Sequence, residues 1–147
     1  SLHDALPILF VGFCKNQGDD VAIENIVKNI RPEFHKQIEI INYPQNNMFY
    51  ILGVFKDAEA VFASRYHAGI IGMLYGRKTY FLSYSDKMVN VLKDIDEKIR
   101  YININEEINV DVNEFILQYG YEILPARLDE IKKSAERQFL KLDSLLK

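Results

Sequence analysis

The strongest constraint on this chain is its alternation of short apolar, β-branched or aromatic runs with stretches at helical spacing, kept up from Pro7 to Leu146. Residues 7–13, Pro-Ile-Leu-Phe-Val-Gly-Phe, form a continuous apolar run suited to a strand buried on both faces, with Pro7 admissible only at its start. Asn16 to Asp20 supply turn residues and an N-cap. After them Ala22, Ile23, Ile26, Val27 and Ile30 predict a helix that Arg31-Pro32 stops. Ile38 to Ile41 predict a second strand, Met48 to Val54 a helix ending near Lys56-Asp57, and Val61 to Ala63 a third strand. A small-residue helix from Ala68 to Tyr75 is closed by Gly76; a strand at Thr79–Leu82 and a helix at Asp86–Ile95 follow. Tyr101–Ile104 reads as strand, Val112–Gln118 as helix, and Leu124–Leu146 as a long terminal helix with Pro125 in its first turn. This order predicts an α/β, Rossmann-like domain: a parallel sheet with helices on both faces.

A length of 147 residues suits one such domain, read here as residues 7–147. Ser1 to Leu6 open without Met or a signal pattern and are set aside as a fragment start or foreign residues. The hydrophobic share of 48% is enough for a core and argues against long disordered segments. A net charge of -3 has the wrong sign for a general binder of nucleic-acid backbones, so no nucleic-acid partner is expected. No apolar run approaches the ~20 residues that cross a bilayer. A lone Cys14 cannot form an internal disulfide, which suits a reducing, cytoplasmic setting.

In sheets of this kind ligands bind beyond the carboxyl ends of the strands, where helix N-termini present free N–H groups. Two strand ends stand out. Ser64-Arg65-Tyr66-His67 follows Val61–Ala63 and precedes a helix; Ser83-Tyr84-Ser85-Asp86-Lys87 is placed the same way after Thr79–Leu82. Between residues 61 and 93 the chain carries Arg65, Arg77, Lys78, Lys87 and Lys93 against Asp86 alone, within a sequence that is acidic overall. Arg65 and Lys87 at adjacent strand ends can grip a phosphate and a carboxylate together, so an anionic ligand is expected. His67 supplies an imidazole able to exchange protons.

Each of these residues also has a plain structural reading. A histidine beside a helix start is commonly a satisfied hydrogen-bonding group, Arg65 can be an ion-pair partner, and Lys87 can be surface. Gly69 and Gly72 read as sites of close helix-to-sheet packing. Ser64, Ser83 and Ser85 suit caps and turns, and Tyr66 and Tyr84 half-buried walls. Only the joint arrangement favours a site.

That arrangement resembles the polysaccharide pyruvyl transferases. The likeness lies in Ser64-Arg65-Tyr66-His67-Ala68-Gly69, Gly76, and Phe81-Leu82-Ser83-Tyr84-Ser85-Asp86-Lys87, with twenty residues from His67 to Lys87. It covers about residues 57–95. Lys78 stands where the family often has Pro, away from the motif. The resemblance implies one half, the C-terminal one, of a two-domain architecture like that of the B-type glycosyltransferases. An N-terminal partner domain would then be missing and this piece would be inactive alone. It further implies transfer of a pyruvyl group from phosphoenolpyruvate to a sugar diol of a cell-surface polysaccharide precursor, carried on lipid or nucleotide, forming a ketal. His67 would be the acid and base. Arg65, Lys87, Ser64, Ser83, Tyr84 and Ser85 would bind substrate, with no metal and no cofactor besides the donor. The place of work would be the cytoplasm, peripheral to the inner face of the membrane.

Two alternatives stay open at this level: a B-type glycosyltransferase half that binds a sugar nucleotide, and a non-catalytic binding or assembly module. The last helix bears on the second, since Leu128, Ile131, Ala135, Phe139, Leu142 and Leu146 form an apolar stripe that must be buried. Packing on the domain is the first expectation. A partly exposed stripe would promote homo-oligomers.

Overall fold

The computed structural model describes residues 7–43 and 47–145. Residues 1–6 and Leu146 therefore lie outside the described residues. The fold is α/β with parallel sheets, and the chain divides into two compact units with the boundary between Val54 and Phe55.

In the first unit, β1 (Ile8–Gly12) and β2 (Ile38–Asn42) pair in parallel, Ile8 opposite Ile38 and Gly12 opposite Asn42. Parallel neighbours need a crossover, which α1 (Asp19–Asn29) provides. Its N-cap is Gly18 at φ 78°, a left-handed backbone that glycine adopts without strain, rather than an Asn or Asp. Asp19 instead reaches back: its carboxylate accepts from the N–H groups of Phe13 at 3.0 Å and Cys14 at 2.9 Å, closing the loop after β1. The expectation that residues 7–13 are buried on both faces is corrected, since Ile8 is 48% exposed and Leu9 to Val11 are half-buried. Within its unit β1 has a single strand neighbour, β2. The helix α2 (Met48–Asp57) carries the unit boundary.

The second unit holds β3 (Ala60–Ala63), β4 (Lys78–Ser83) and β5 (Tyr101–Asn103) in a parallel sheet with β4 central. The side-chain period of two sorts these strands cleanly. On one face Val61, Thr79 and Phe81 receive α3 (Tyr66–Leu74), whose Gly69 lies against the Phe81 ring and Gly72 against Thr79 and Val61. A Cβ on Gly72 would stand 2.7 Å from Thr79 Oγ1, so the glycines serve close helix-to-sheet packing, as the sequence suggests. On the opposite face the Phe62 and Tyr80 rings stack at 4.6 Å, and Phe115 of α5 (Val112–Gln118) lies 5.2 Å from the Tyr80 ring. Helices thus cover both faces of this sheet. The helix α4 (Asp86–Ile95) follows β4 and buries Met88 and Leu92.

Two residues, Tyr121 and Arg127, fasten the C-terminal elements. Tyr121 makes an antiparallel bridge to Thr79, with paired N–H to carbonyl bonds of 2.9 Å, and its phenol donates to Asp96 at 2.8 Å. The guanidinium of Arg127, in α6 (Pro125–Leu145), donates to the Ile95 carbonyl at 2.8 and 3.0 Å, satisfying an orphan acceptor at the end of α4. The apolar stripe of α6 is half-buried at Leu128 and Ile131, but Ala135 is exposed and Phe139 is 67% exposed. The Leu142 side chain lies outside the described residues. Among the described side chains, packing on the domain therefore holds for the first two turns only.

Burial, then the hydrogen bond and charge of Asp96, push the Tyr121 phenol up from 10.0 to about 12. A raised folded value means the stability it contributes is complete below pH 10 and is lost as pH climbs towards 12. Tyr121→Phe should therefore lose less stability than wild type across that window in denaturant titrations. Parallel losses in the two proteins would show that the phenol is not linked to folding. At the acid end, the Lys98 N–H and then the Tyr121 phenol hold the Asp96 carboxyl below its ordinary 3.8.

Candidate functional site

The parallel pairing of β3, β4 and β5 brings three strand ends to one edge of the sheet. After β3 the chain passes through Ser64 and turns into α3, with Arg65 as the extended N-cap whose carbonyl accepts from the Gly69 N–H at 3.2 Å. The helix begins at Tyr66, two residues earlier than periodicity alone predicts, so His67 sits in its first turn. After β4, Ser85 is the extended N-cap of α4, and Lys87 is the second residue of that helix. His67 and Lys87 are both exposed, at the N-terminal turns of helices that follow neighbouring strands. The positive ends of α3 and α4 therefore sit at the same sheet edge.

The residue pair that joins these two loops is Arg65 and Tyr84. Arg65 Nη1 donates to the Tyr84 phenol oxygen at 2.9 Å, and its guanidinium carbon lies 5.8 Å from the ring centroid. His67 meets the Tyr66 ring edge-on at 5.2 Å between centroids. No ion pair among the described residues takes up Lys87.

The serines play different parts. Ser83 is buried, donates its hydroxyl to the Ser85 carbonyl at 3.0 Å and accepts from the Ser85 N–H at 3.4 Å, so it builds the turn. Ser85 is half-buried and makes no side-chain cap bond, and Ser64 is exposed on the β3 loop.

A cavity of about 170 Å³ opens beside these residues, lined by Ser83, Tyr84, Ser85, Asp86, Val89, Asn103 and Asn105. Arg65, His67 and Lys87 stand outside its lining. Asn103 and Asn105 come from the end of β5 and escape a reading that looks for charge, because an Asn-x-Asn after a strand is an ordinary turn signal. A second cavity, of about 180 Å³, lies in the first unit at the ends of β1 and β2, bordered by Gly12, Lys15, Asp19, Asp20, Glu24, Asn42 and Tyr43.

The cluster of positive charge along the sequence is divided in space. Arg77 donates to the carbonyls of Tyr75 at 2.9 Å and Ala58 at 3.4 Å, and Lys78 opens β4, at the opposite edge of the sheet from Ser83. A strand of this length separates those edges by roughly 17 Å. Lys93 lies in the last turn of α4, which runs back to that far edge. Arg65 and Lys87 alone of the five cations remain at the strand ends that follow β3 and β4.

Among family models, that of polysaccharide pyruvyl transferase matches residues 1–86. The chain belongs to this family. Comparison with curated proteins and with solved structures gives no match. The matched span of this pyruvyl transferase reaches well ahead of the residues that carry the visible likeness, taking in the first unit, and it ends one residue before Lys87. Ser64, Arg65, His67, Ser83, Tyr84 and Ser85 all fall inside it. The transferase has no helix, among the described residues, long and apolar enough to cross a membrane.

Proposed function

We propose that this pyruvyl transferase uses phosphoenolpyruvate as donor and moves its pyruvyl carbons onto two hydroxyls of a sugar in a polysaccharide precursor. The single observation that supports the reading is the Arg65–Tyr84 bond, which joins the loops leading into α3 and α4, the helices whose first turns carry exposed His67 and Lys87. Two cations and two helix N-termini at one edge suit a small ligand with a carboxylate and a phosphate.

In this reading Arg65 and Lys87 hold the donor's anionic groups, and the Ser64 loop and the Ser83-Tyr84-Ser85 turn offer further hydrogen bonds. His67 protonates the methylene carbon of the enol, leaving positive charge on the carbon that bears oxygen. One sugar hydroxyl adds there, the bond to the phosphate oxygen breaks, and the second hydroxyl closes the ketal. The bookkeeping of protons closes: one hydroxyl proton ends in the new methyl group and the other on the departing phosphate. The sugar is carried on a lipid or nucleotide, at the cytoplasmic face of the membrane.

The test is release of inorganic phosphate from phosphoenolpyruvate by the active transferase. Release that requires both phosphoenolpyruvate and a sugar with two neighbouring free hydroxyls supports the reading. Transfer that requires a sugar nucleotide as donor, with phosphoenolpyruvate inert, would replace it with a glycosyl transfer.

A further inference from the structure

We propose that Asn105 is a positioning residue for Arg65, acting through Tyr84; the proposal rests on the reading that Arg65 grips the donor. Arg65 has a long, flexible side chain at a half-buried position, and a guanidinium binds a two-oxygen anion well only when its plane is held. The Tyr84 phenol oxygen supplies such a hold at 2.9 Å. Yet Tyr84 is itself 44% exposed, on a loop beyond the end of β4, so its own backbone must be held in turn.

The end of β5 does this. The Ile104 N–H donates to the Ser83 carbonyl at 2.8 Å, continuing the parallel ladder one step past the strand. At the next peptide Asn105 Nδ2 donates to the Tyr84 carbonyl at 2.8 Å. Asn105 is placed by its neighbour: the Asn103 carbonyl oxygen of the side chain accepts from the Asn105 N–H at 3.1 Å, and Asn103 Nδ2 donates to Glu106 at 2.5 Å. A three-membered relay follows, from Asn105 to the Tyr84 backbone and from the Tyr84 phenol to Arg65. It links the third strand end to a cation on the first, across the central strand.

Asn105 also lines the 170 Å³ cavity with Tyr84, so its contact lies at the surface rather than in the core. Asparagine suits the task because its Nδ2 donates to a carbonyl while the side chain stays neutral beside an anion-binding group. An aspartate there would present only acceptor oxygens to the Tyr84 carbonyl.

The experiment measures phosphoenolpyruvate affinity by calorimetry for the chain and its variants. Tyr84→Phe keeps the ring and removes the phenol oxygen; Asn105→Ala and Asn105→Leu each remove the Nδ2 donor without adding charge. Each should weaken binding about threefold to tenfold, the net range of an ordinary hydrogen bond. The decisive reading is coupling: in an Arg65→Ala background, Asn105→Ala and Tyr84→Phe should cause no further loss. Asn105 is exposed, so these variants are expected to melt near wild type. Should Asn105→Ala unfold, Asn105→Leu carries the same comparison with the shape retained. Losses that persist undiminished without Arg65 overturn the relay, as does donor binding that needs Arg65 but ignores Asn105. Donor binding indifferent to Arg65→Ala overturns the donor assignment itself and the relay with it.

Discussion

Replacing His67 with alanine should lower phosphate release from phosphoenolpyruvate by about 10²–10⁴-fold in the active transferase, the usual contribution of a positioned acid and base. Donor affinity should change little, because in the proposed reading Arg65 and Lys87 carry the anion. The variant should also fold normally. His67 is exposed, and its one ring contact is the edge-on approach to Tyr66, so its removal falls among surface changes within about ±0.5 kcal/mol. The two halves of the result discriminate: turnover near wild type would take His67 out of the chemistry, whereas a collapse of both turnover and melting temperature would make it a structural residue. A steep fall in turnover at unchanged melting temperature and unchanged donor affinity is the expected pattern.

Gly69→Ala should destabilise the second unit by about 2 kcal/mol, although alanine is the better helix former by ~1 kcal/mol in an open helix. The sign is decided by what the new methyl would meet. Its position coincides with the edge of the Phe81 ring, which is 1% exposed and held on the central strand. Neither partner can move away, because α3 is also pressed on the sheet through Gly72 and Phe81 lies between paired strands. A fall in melting temperature of roughly 8–16 °C is the corresponding readout for a unit of this size. Gly53, in α2 with open space around it, makes the control, since alanine there should be neutral or stabilising. Equal stability of Gly69→Ala and wild type would mean that α3 stands further from β4 than described. Tyr66 and His67 ride on the same helix, so its seating on the sheet also sets where the first turn points.

Much of the framework is legible in the sequence, because burial on both faces leaves an unambiguous signature. Thr79, Tyr80 and Phe81 are a β-rich run in the centre of a sheet, and Arg65 and Lys87 can be assigned to neighbouring strand ends from the order of elements alone. Three features were out of reach for stated reasons. The apolar run before Phe13 reads as fully buried, yet hydrophobicity reports only that a strand can be covered, not how many neighbours it has. The density of positive charge from residue 61 to residue 93 looks like one cluster, but a strand carries Arg77 and Lys78 to the opposite edge, where Arg77 serves backbone carbonyls. The Arg65–Tyr84 bond and the Asn105 contact join residues 19 and 21 positions apart, and nothing in residue type announces such pairings. Caps were legible in part: Ser85 takes the N-cap of α4 as its residue type suggests, though without a side-chain bond, whereas Gly18 and Arg65 cap α1 and α3 by backbone conformation.

The central strand is partnered along its whole length, by β3 from Lys78 to Phe81, by Tyr121 at Thr79, and by β5 from Phe81 to Ser83. Amide protons of that strand should consequently be among the slowest in the chain to exchange with deuterium, opening only when the whole unit does. The boundary between protected and unprotected amides would then fall just beyond Ser83. A rigid post would end there, and the loop residues beyond it would be free to breathe on faster timescales without loosening what supports them.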